Sequence, residues 1–505
     1  MPILTPIWEA AAIRGGGVVE FDVENQMAGG MKHVYFAKGG TEVVAFFHNS
    51  DPDPNREERL KNVITDFNPT LPSVMHHEYW ESLFCWPTAI VDHPRFGIGI
   101  KLPKYPSNFI FQAGNYKGKE KEGCWFNSFN SQKNKLYRYT HVDESERGNL
   151  RTYLAALTKV CRAVSRMHMA GLAHADLSER NVLIDPSTGG AIVIDLDALV
   201  VTGMYPPDVA GTPGYIAPEV LATIHLSFGN ILKKSPCAET DRYALAVMIY
   251  KYLLERHPLE GQRKVLGLTA EEEDIKIFGA GAIYSEHRNN HTNRPVDSKY
   301  LKASILGKEL EDLFHKSFVD GLLDPAKRPL PSEFEMALCA AFDTLLPCGN
   351  PVCTHKYFVL TNKTKPICPY CKTKFGGRYS ILKLSHEDKG QITNGGEMVL
   401  HGTEIEGQGT NIFGFHAFKN AKRGAGQDNT LLATVVYLTA PNPNPGYYLK
   451  NIGVPDMQVR NPSAGNQNFQ QVPLTRHVLL NNGTEILFGN SANARKGSIE
   501  TFSIP

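Results

Sequence analysis

Read for the spacing of its apolar positions, the chain changes character twice. In the first 102 residues apolar and polar positions alternate in short runs, Gly17 to Val23, Val34 to Ala37 and Glu42 to Phe47, broken by glycine pairs and prolines. A period of two over so few residues predicts strands, and this stretch reads as a small sheet-rich unit. From Asn149 to Met169 the period lengthens: Leu150, Tyr153, Leu154, Leu157, Val160, Cys161, Val164 and Met167 recur at helical spacing, which predicts one long helix with a buried face. Further helices are predicted over Arg242 to Arg256, Leu310 to Asp320 and Pro331 to Leu345, with turn chemistry from Gly321 to Leu330. After Leu346 the helical period fades. From Gly376 onward Gly, Asn, Thr and Val dominate, and Thr430 to Leu438, Tyr447 to Ile452 and His477 to Gly489 read as strands among turns such as Asn444-Pro445-Gly446 and Asn481-Asn482-Gly483.

Composition narrows the function classes. The 505 residues carry 53 Lys+Arg against 52 Asp+Glu, a formal charge of +1, so no basic field is available to grip a phosphate backbone and no nucleic-acid partner is expected. At roughly 100–200 residues per domain the length predicts about three or four units. The most apolar helical run, Tyr243 to Leu254, is short and contains Lys251, so no membrane span is expected. Met1 to Arg14 lacks a basic start and an apolar core and carries Glu9, which predicts a cytoplasmic protein. Of nine cysteines, Cys348, Cys353, Cys368 and Cys371 are bunched, and bunching points to metal rather than a disulfide framework.

The chemistry-bearing residues follow the long helix in order. His174-Ala175-Asp176-Leu177-Ser178-Glu179-Arg180-Asn181 leads into Ala191 to Ile194 and Asp195-Leu196-Asp197; then come Gly211-Thr212-Pro213-Gly214-Tyr215-Ile216-Ala217-Pro218-Glu219, Asp241-Arg242-Tyr243-Ala244-Leu245-Ala246-Val247 and Asp324-Pro325-Ala326-Lys327-Arg328-Pro329. Any one piece alone is weak, since an Asp-Leu-Asp is more often a strand end than a metal site. Their order and spacing together resemble the signature set of eukaryotic-like, Hanks-type protein kinases over roughly Val18 to Leu345. The resemblance implies a bilobal α+β fold, with ATP and Mg²⁺ (or Mn²⁺) as cofactors. It implies that Asp176 orients the substrate hydroxyl, that Asn181 and Asp195 hold the Mg²⁺ ions, that Asp241 is buried and fixes the catalytic-loop backbone, and that Glu219 pairs with Arg328.

The sequence departs from that pattern where the phosphate-gripping lysine belongs. The expected Val-Ala-Ile-Lys strand reads Val44-Ala45-Phe46-Phe47, and Phe47 cannot bind phosphate. The run Met27-Ala28-Gly29-Gly30-Met31-Lys32-His33-Val34-Tyr35 resembles a Gly-x-Gly-x-x-Gly-x-Val loop with Lys32 at its third glycine and Met27 at its first. With Val34 facing the adenine, period two turns Lys32 to the same inner face. A loop lysine beside a strand without one is similar to the with-no-lysine kinases. Lys32 is therefore the candidate catalytic lysine; a solvated surface lysine is the plainer alternative. Gly29, Gly30, Val34 and Ala45 are the other nucleotide-binding candidates, with the strand Gly97 to Leu102 and a hinge from Pro103 to Pro106. Glu58, or else Glu57, is the expected acidic partner of Lys32, against the reading of one charge on a solvated helix face. Ala175 replaces the usual arginine, so a phosphorylated activation loop has no cation to hold it. Ser178 replaces a common lysine, and Arg180 is the candidate that neutralises the γ-phosphate instead. Thr212 is expected to contact the catalytic loop.

In the tail, Cys348 and Cys353 form one knuckle-like pair and Cys368 and Cys371 another, resembling a zinc ribbon with a structural Zn²⁺; His355 is the competing ligand. The stretch Leu480 to Gly489 resembles the end of a forkhead-associated (FHA) sandwich, without that family's phosphothreonine-reading elements. The expected layout is an N-lobe over residues 1–102, a C-lobe over 103–345, a zinc ribbon over 346–375 and an all-β, FHA-like interaction domain over 376–505. That combination resembles bacterial stress-associated kinases, including those of tellurite-resistance loci. It implies a protein substrate and, as partners, a von Willebrand A-domain protein and a metal-dependent protein phosphatase. The expected activity is serine/threonine phosphotransfer; the rival is a pseudokinase scaffold, favoured by Phe47 and Ala175 and opposed by Asp176, Asn181 and Asp195 together.

Overall fold

The computed structural model describes residues 8–13, 17–28, 32–48, 55–127, 129–130, 135–196, 199–201, 211–227, 230–263, 269–297, 300–388, 390–402, 409–421, 430–439 and 442–504. It divides into two compact units. One comprises Met1–Gly148, Ala156–Lys302 and Asp312–Glu335; the other comprises Asn149–Ala155, Ala303–Glu311 and Met336–Pro505.

The first unit opens with six antiparallel strands, β1 (Trp8–Ile13), β2 (Gly17–Ala28), β3 (Lys32–Ala37), β4 (Glu42–Phe47), β5 (Ala89–His93) and β6 (Gly97–Pro103). They close into a barrel in the order β1-β2-β3-β4-β6-β5. Strand β4 explains its own near-continuous apolar sequence, because both faces are covered. Val44 and Phe46 pack with Phe21, Tyr35 and Val91, while Ala45 and Phe47 pack with Leu60, Ile90 and Ile100. Leu60 belongs to helix α1 (Arg56–Ile64), which is thereby docked on the second face. Gly99 of β6 is required by this packing, since a Cβ there would lie 2.6 Å from the Ala45 carbonyl oxygen. The sequence pattern found β2, β3, β4 and β6 but neither β1 nor β5, whose closure of the ring is a long-range pairing without a local signal.

Helix α2 (Leu150–Met169) buries all eight of the positions picked out by its period. After it, β7 (Val182–Asp185) and β8 (Gly190–Val193) form a short hairpin, pairing Val182 with Val193. Helix α3 (Ala238–Leu254) is apolar nearly all round and is buried accordingly; Tyr250 meets Phe314 edge-on at 5.0 Å and Tyr284 at 5.9 Å. Arg328, with its side chain fully covered, donates to Glu219 through both ends of its fork, at 2.8 and 2.7 Å, and also to the carbonyls of Gly321 and Glu239. Among the described residues no helix is long and apolar enough to cross a membrane.

The second unit holds the first turns of α2, the later part of helix α4 (Pro331–Asp343) and everything after it. Its hairpin β9 (Leu345–Pro347) and β10 (Tyr357–Val359) precedes two sheets. These are built from β11 (Gly377–Asp388), β12 (Gln391–Val399), β13 (Asn411–Phe413), β14 (Leu431–Leu438), β15 (Gly446–Asn451), β16 (Gln458–Asn461), β17 (Asn466–Gln471), β18 (His477–Leu479), β19 (Glu485–Leu487) and β20 (Lys496–Ile504). The orders are β12-β11-β20-β19-β16-β17 and β13-β14-β15-β18. A core including Leu382, Met398, Ile412, Val435, Leu449, Ile486 and Phe488 lies between them. The described tail is mainly β, with a helical turn at Gly414–Ala417 and with the turn at Asn481 to Gly483 dividing two strands inside the stretch His477 to Gly489.

The cysteine-bearing segment differs from the expectation of a separate ribbon. Leu346, Cys353, Phe358, Leu360 and Cys368 form one buried cluster with Tyr379, Ile381 and Val399 of β11 and β12. The segment therefore draws its core from the sandwich, and the packing has no boundary at residue 375. The C-lobe limit at 345 is likewise not where the chain divides, because parts of α2 and α4 belong to the second unit.

Removing Glu219 leaves the fully covered Arg328 guanidinium unpaired, which costs about 3–5 kcal/mol. Glu219→Ala is expected to destabilise the first unit by that amount in urea denaturation, with Glu219→Gln milder because an amide still accepts one hydrogen bond.

Candidate active site

The turn after α2 delivers His174, Ala175 and Asp176 to a clamp built from α3. Asp241, 2% exposed, accepts the backbone N–H of His174 at 2.7 Å and of Ala175 at 3.2 Å, and faces His168 Nε2 at 3.1 Å. Ala175 sits at φ 69°, a left-handed conformation that disfavours a side chain by about 1 kcal/mol or more and persists only where the surroundings enforce it. The two hydrogen bonds from one buried carboxylate do so. On the other side, His174 Nε2 lies 2.9 Å from the carbonyl oxygen of Ile194, tying the loop to the residue before Asp195.

Asp176 is held through both carboxylate oxygens. The Thr212 hydroxyl donates to Oδ1 at 2.7 Å, and the Asn181 amide donates to Oδ2 at 3.0 Å and to the Asp176 carbonyl at 2.8 Å. With its nitrogen so engaged, Asn181 turns Oδ1 to the remaining direction as an acceptor. Ile194 N–H donates to the Asn181 carbonyl at 3.0 Å, which sets Asn181 and Asp195 side by side just beyond the β7–β8 hairpin. Thr212 is 3.2 Å from the buried Ser178 hydroxyl as well. The same segment is anchored from below by His257. Burial pushes that imidazole down to about 3; Nδ1 accepts from Leu259 N–H, so Nε2 donates to the Gly214 carbonyl at 2.9 Å.

The barrel supplies the cation. Lys32 and Phe47 are directly opposed in the β3–β4 ladder, so their side chains share a face. Lys32 Nζ reaches Asp195 Oδ1 at 2.6 Å. Lys32, across the ladder from Phe47, thus brings its ammonium group to Asp195. Val34 opposes Ala45, and both pack with Ile100 and Leu102. Leu102 also packs against Cys85, Leu183 and Ile194, so one apolar surface runs from the barrel to the residue before Asp195.

Five further candidates remain. Glu57 and Glu58 are exposed on α1, and the carboxylate set against Lys32 is that of Asp195. Arg180 is exposed beside the loop, and Gly29 and Gly30 lie outside the described residues. Two contacts had no sequence signal. Arg56 of α1 stacks its guanidinium on the Phe47 ring, 4.5 Å from the centroid. Glu179 accepts from Tyr215 and, at 2.5 Å, from Lys251. Spatial neighbours so distant in sequence carry no period that reading the chain could detect.

The four-cysteine cluster belongs to the second unit. Its sulfurs all lie within 4.8 Å of one another, with Cys348 to Cys371 at 3.4 Å and Cys353 to Cys368 at 3.9 Å. A tetrahedral Zn²⁺ with Zn–S bonds near 2.3 Å places its sulfurs about 3.8 Å apart, so this donor set fits the ion. Burial acts to raise the Cys371 thiol, but hydrogen bonds from Thr373 and from its cysteine neighbours hold it down to about 6. His355 is not part of the cluster; its ring is stacked on Tyr370 at 3.6 Å.

Residues 130–333 match the family model of the protein kinase domain. The match holds Asp176, Asn181, Asp195, Thr212, Asp241 and Arg328, whereas Lys32, Val34 and Ala45 precede it. The serine/threonine-protein kinase PknD of Chlamydia felis is 28% identical over 142 residues, covering 24% of this chain and 14% of that protein. The serine/threonine-protein kinase WNG2 of Toxoplasma gondii is 34% identical over 113 residues, covering 22% and 20%. The chain thus spans a fifth or less of the length of these relatives. Among solved structures, ROP2 of Toxoplasma gondii, described as a virulence factor with a protein-kinase fold and no enzymatic activity, is similar at a TM-score of 0.40 and 15% identity, covering 67% of this chain and 87% of that one.

Asp241→Ala removes the acceptor of two buried amides, each worth about 1–3 kcal/mol when left unpaired. Amide hydrogen exchange at His174 and Ala175 is expected to accelerate at least tenfold, while amides of the barrel stay at their wild-type rates.

Proposed function

We propose that this chain is an ATP- and Mg²⁺-dependent protein kinase that transfers the γ-phosphoryl group to Ser/Thr hydroxyls, with Lys32 as its phosphate-gripping cation. The observation that carries this reading is the 2.6 Å approach of Lys32 Nζ to Asp195, from the strand opposite Phe47. It sets the cation beside the carboxylate expected to hold metal. Phosphoryl transfer asks the protein for positioning and charge neutralisation more than for covalent chemistry.

In this reading Asp176 receives the substrate hydroxyl. Because Thr212 and Asn181 fix both of its oxygens, the carboxylate is pre-oriented and pays little reorganisation when it accepts the proton. Asn181 Oδ1 and the Asp195 carboxylate are the hard oxygen donors that would hold Mg²⁺, which when bound neutralises phosphate charge. Lys32 contacts the phosphates from above, and exposed Arg180 approaches the γ-phosphate from the loop. Val34, Ala45 and Leu102 line the adenine side. Ala175 contributes only a backbone N–H to the Asp241 clamp, so activity does not require a phosphorylated activation loop. The sandwich is read as an FHA-like interaction module and the four-cysteine cluster as a structural Zn²⁺ site. The tellurite-resistance context, with a von Willebrand A-domain protein and a metal-dependent phosphatase as partners, rests on the resemblance stated above.

General-base residues contribute typically about 10²–10⁴ in rate. With Mg²⁺ and γ-labelled ATP, Asp176→Ala is expected to lower label transfer by that factor and Lys32→Met to lower it at least about tenfold. Transfer surviving both changes would sink the mechanism; nucleotide binding without transfer in every form, with a panel of protein substrates, would replace it by the scaffold reading. Metal analysis of the folded chain should give about one equivalent of Zn²⁺, and Cys368→Ser should lower it. Less than about half an equivalent in the unmutated protein counts against the four-cysteine site.

A further inference from the structure

Phe47 stands where a phosphate-binding lysine was expected, yet its ring lies at the meeting point of the cations around the site. Lys32 Nζ is 5.8 Å from the ring centroid and Arg56 Cζ is 4.5 Å from it, both within the roughly 6 Å over which an aromatic face attracts a cation. Three elements converge there, since Lys32 opens β3, Phe47 ends β4 and Arg56 opens α1. The ring itself is immobilised: Phe47 is 8% exposed and packs on Ala45, Leu60, Ile90 and Ile100, and Leu60 ties the ring to the same helix that carries Arg56.

We infer that Phe47 is a positioning residue for Lys32, a ring platform that fixes the ammonium and couples α1 to it through Arg56, in the place where a carboxylate on α1 was expected. The inference rests on the reading of Lys32 as the phosphate-binding cation. Its physical logic is one of charge. A lysine stem has four rotatable bonds and needs a partner to be held in one pose. The Asp195 carboxylate holds the ammonium from one side at 2.6 Å; the aromatic face adds a second contact that brings no net charge of its own to a site that must admit phosphates. The Lys32 side chain is only 15% exposed, and partial removal from water strengthens the ring's attraction. The ring also brings a second cation, Arg56, close to the first, which raises the positive potential offered to an anion.

The test is a double-mutant cycle on Mg·ATP binding, measured by titration calorimetry on the full chain with thermal melting as the control for folding. Phe47→Leu keeps the apolar contacts and removes the ring; it is expected to weaken binding about three- to tenfold. Phe47→Tyr restores the ring and should return affinity to within about twofold. In the Lys32→Met background, Phe47→Leu should add nothing. Equal weakening by Phe47→Leu in both backgrounds, or no weakening with Lys32 present, overturns the inference while leaving Lys32 in its role. A Lys32→Met chain that binds Mg·ATP as tightly as wild type overturns both. Where Phe47→Leu fails to fold, Arg56→Gln, outside the core, reads the same coupling: a loss of about two- to fivefold that disappears with Lys32→Met supports it, and no loss overturns it.

Discussion

One buried carboxylate governs the geometry of the loop from His174 to Asn181. Asp241 accepts the amides of His174 and Ala175 and so enforces a left-handed backbone at a residue that has a side chain. Everything downstream takes its position from that turn. Asp176 emerges from it, Asn181 folds back onto Asp176, and Ile194 bonds to Asn181, which brings Asp195 alongside. Asp241 sits near the start of a helix buried nearly all round, so the clamp is anchored in a closely packed element of the first unit.

The cation reaches this assembly from the barrel by a route the strand sequence does not announce. In an antiparallel ladder, directly opposed residues point the same way. A charge can therefore move from β4 to β3, from Phe47 to Lys32, and still reach the same point in space. At that point of β4 stands the aromatic ring of Phe47, and helix α1 sets Arg56 against its face. The family match covers residues 130–333 and not the barrel.

Much of the fold was legible because its signals are local. The eight buried positions of α2 follow from period alone, and the ordered motifs from His174 to Arg328 run through residues that the structure brings together: Asp241 bonds the His174 and Ala175 amides, Asn181 bonds Asp176, and Arg328 bonds Glu219. The facing of Lys32 could be read because period two and the Val34 register both constrain it. What escaped was long-range. The closure of β1 on β5, the Arg56–Phe47 stack and the shared core of Cys353, Cys368, Tyr379 and Ile381 each join residues whose separation carries no period. Acidic character alone points to Glu57 and Glu58, but packing sets Leu60 and Val63 of that helix inward and leaves both glutamates on its exposed face.

Barrel closure also bears on how the site tolerates change. An open sheet ends in edge strands, whose register can slip and whose unpaired groups can recruit another chain. The six-stranded ring has no such edge, and each strand's register is fixed by neighbours on both sides. A slip of one residue in β3 would send Lys32 to the opposite face and replace it with His33 or Met31. Because β3 pairs on both sides, that slip would have to break its pairings with β2 and β4 together, and closure through β1 and β5 leaves neither of those neighbours an open edge to slide with it. The placement of a single ammonium group is thus insured by the hydrogen bonding of the whole circle of strands, and insertions are best accommodated in the connections between strands rather than within them.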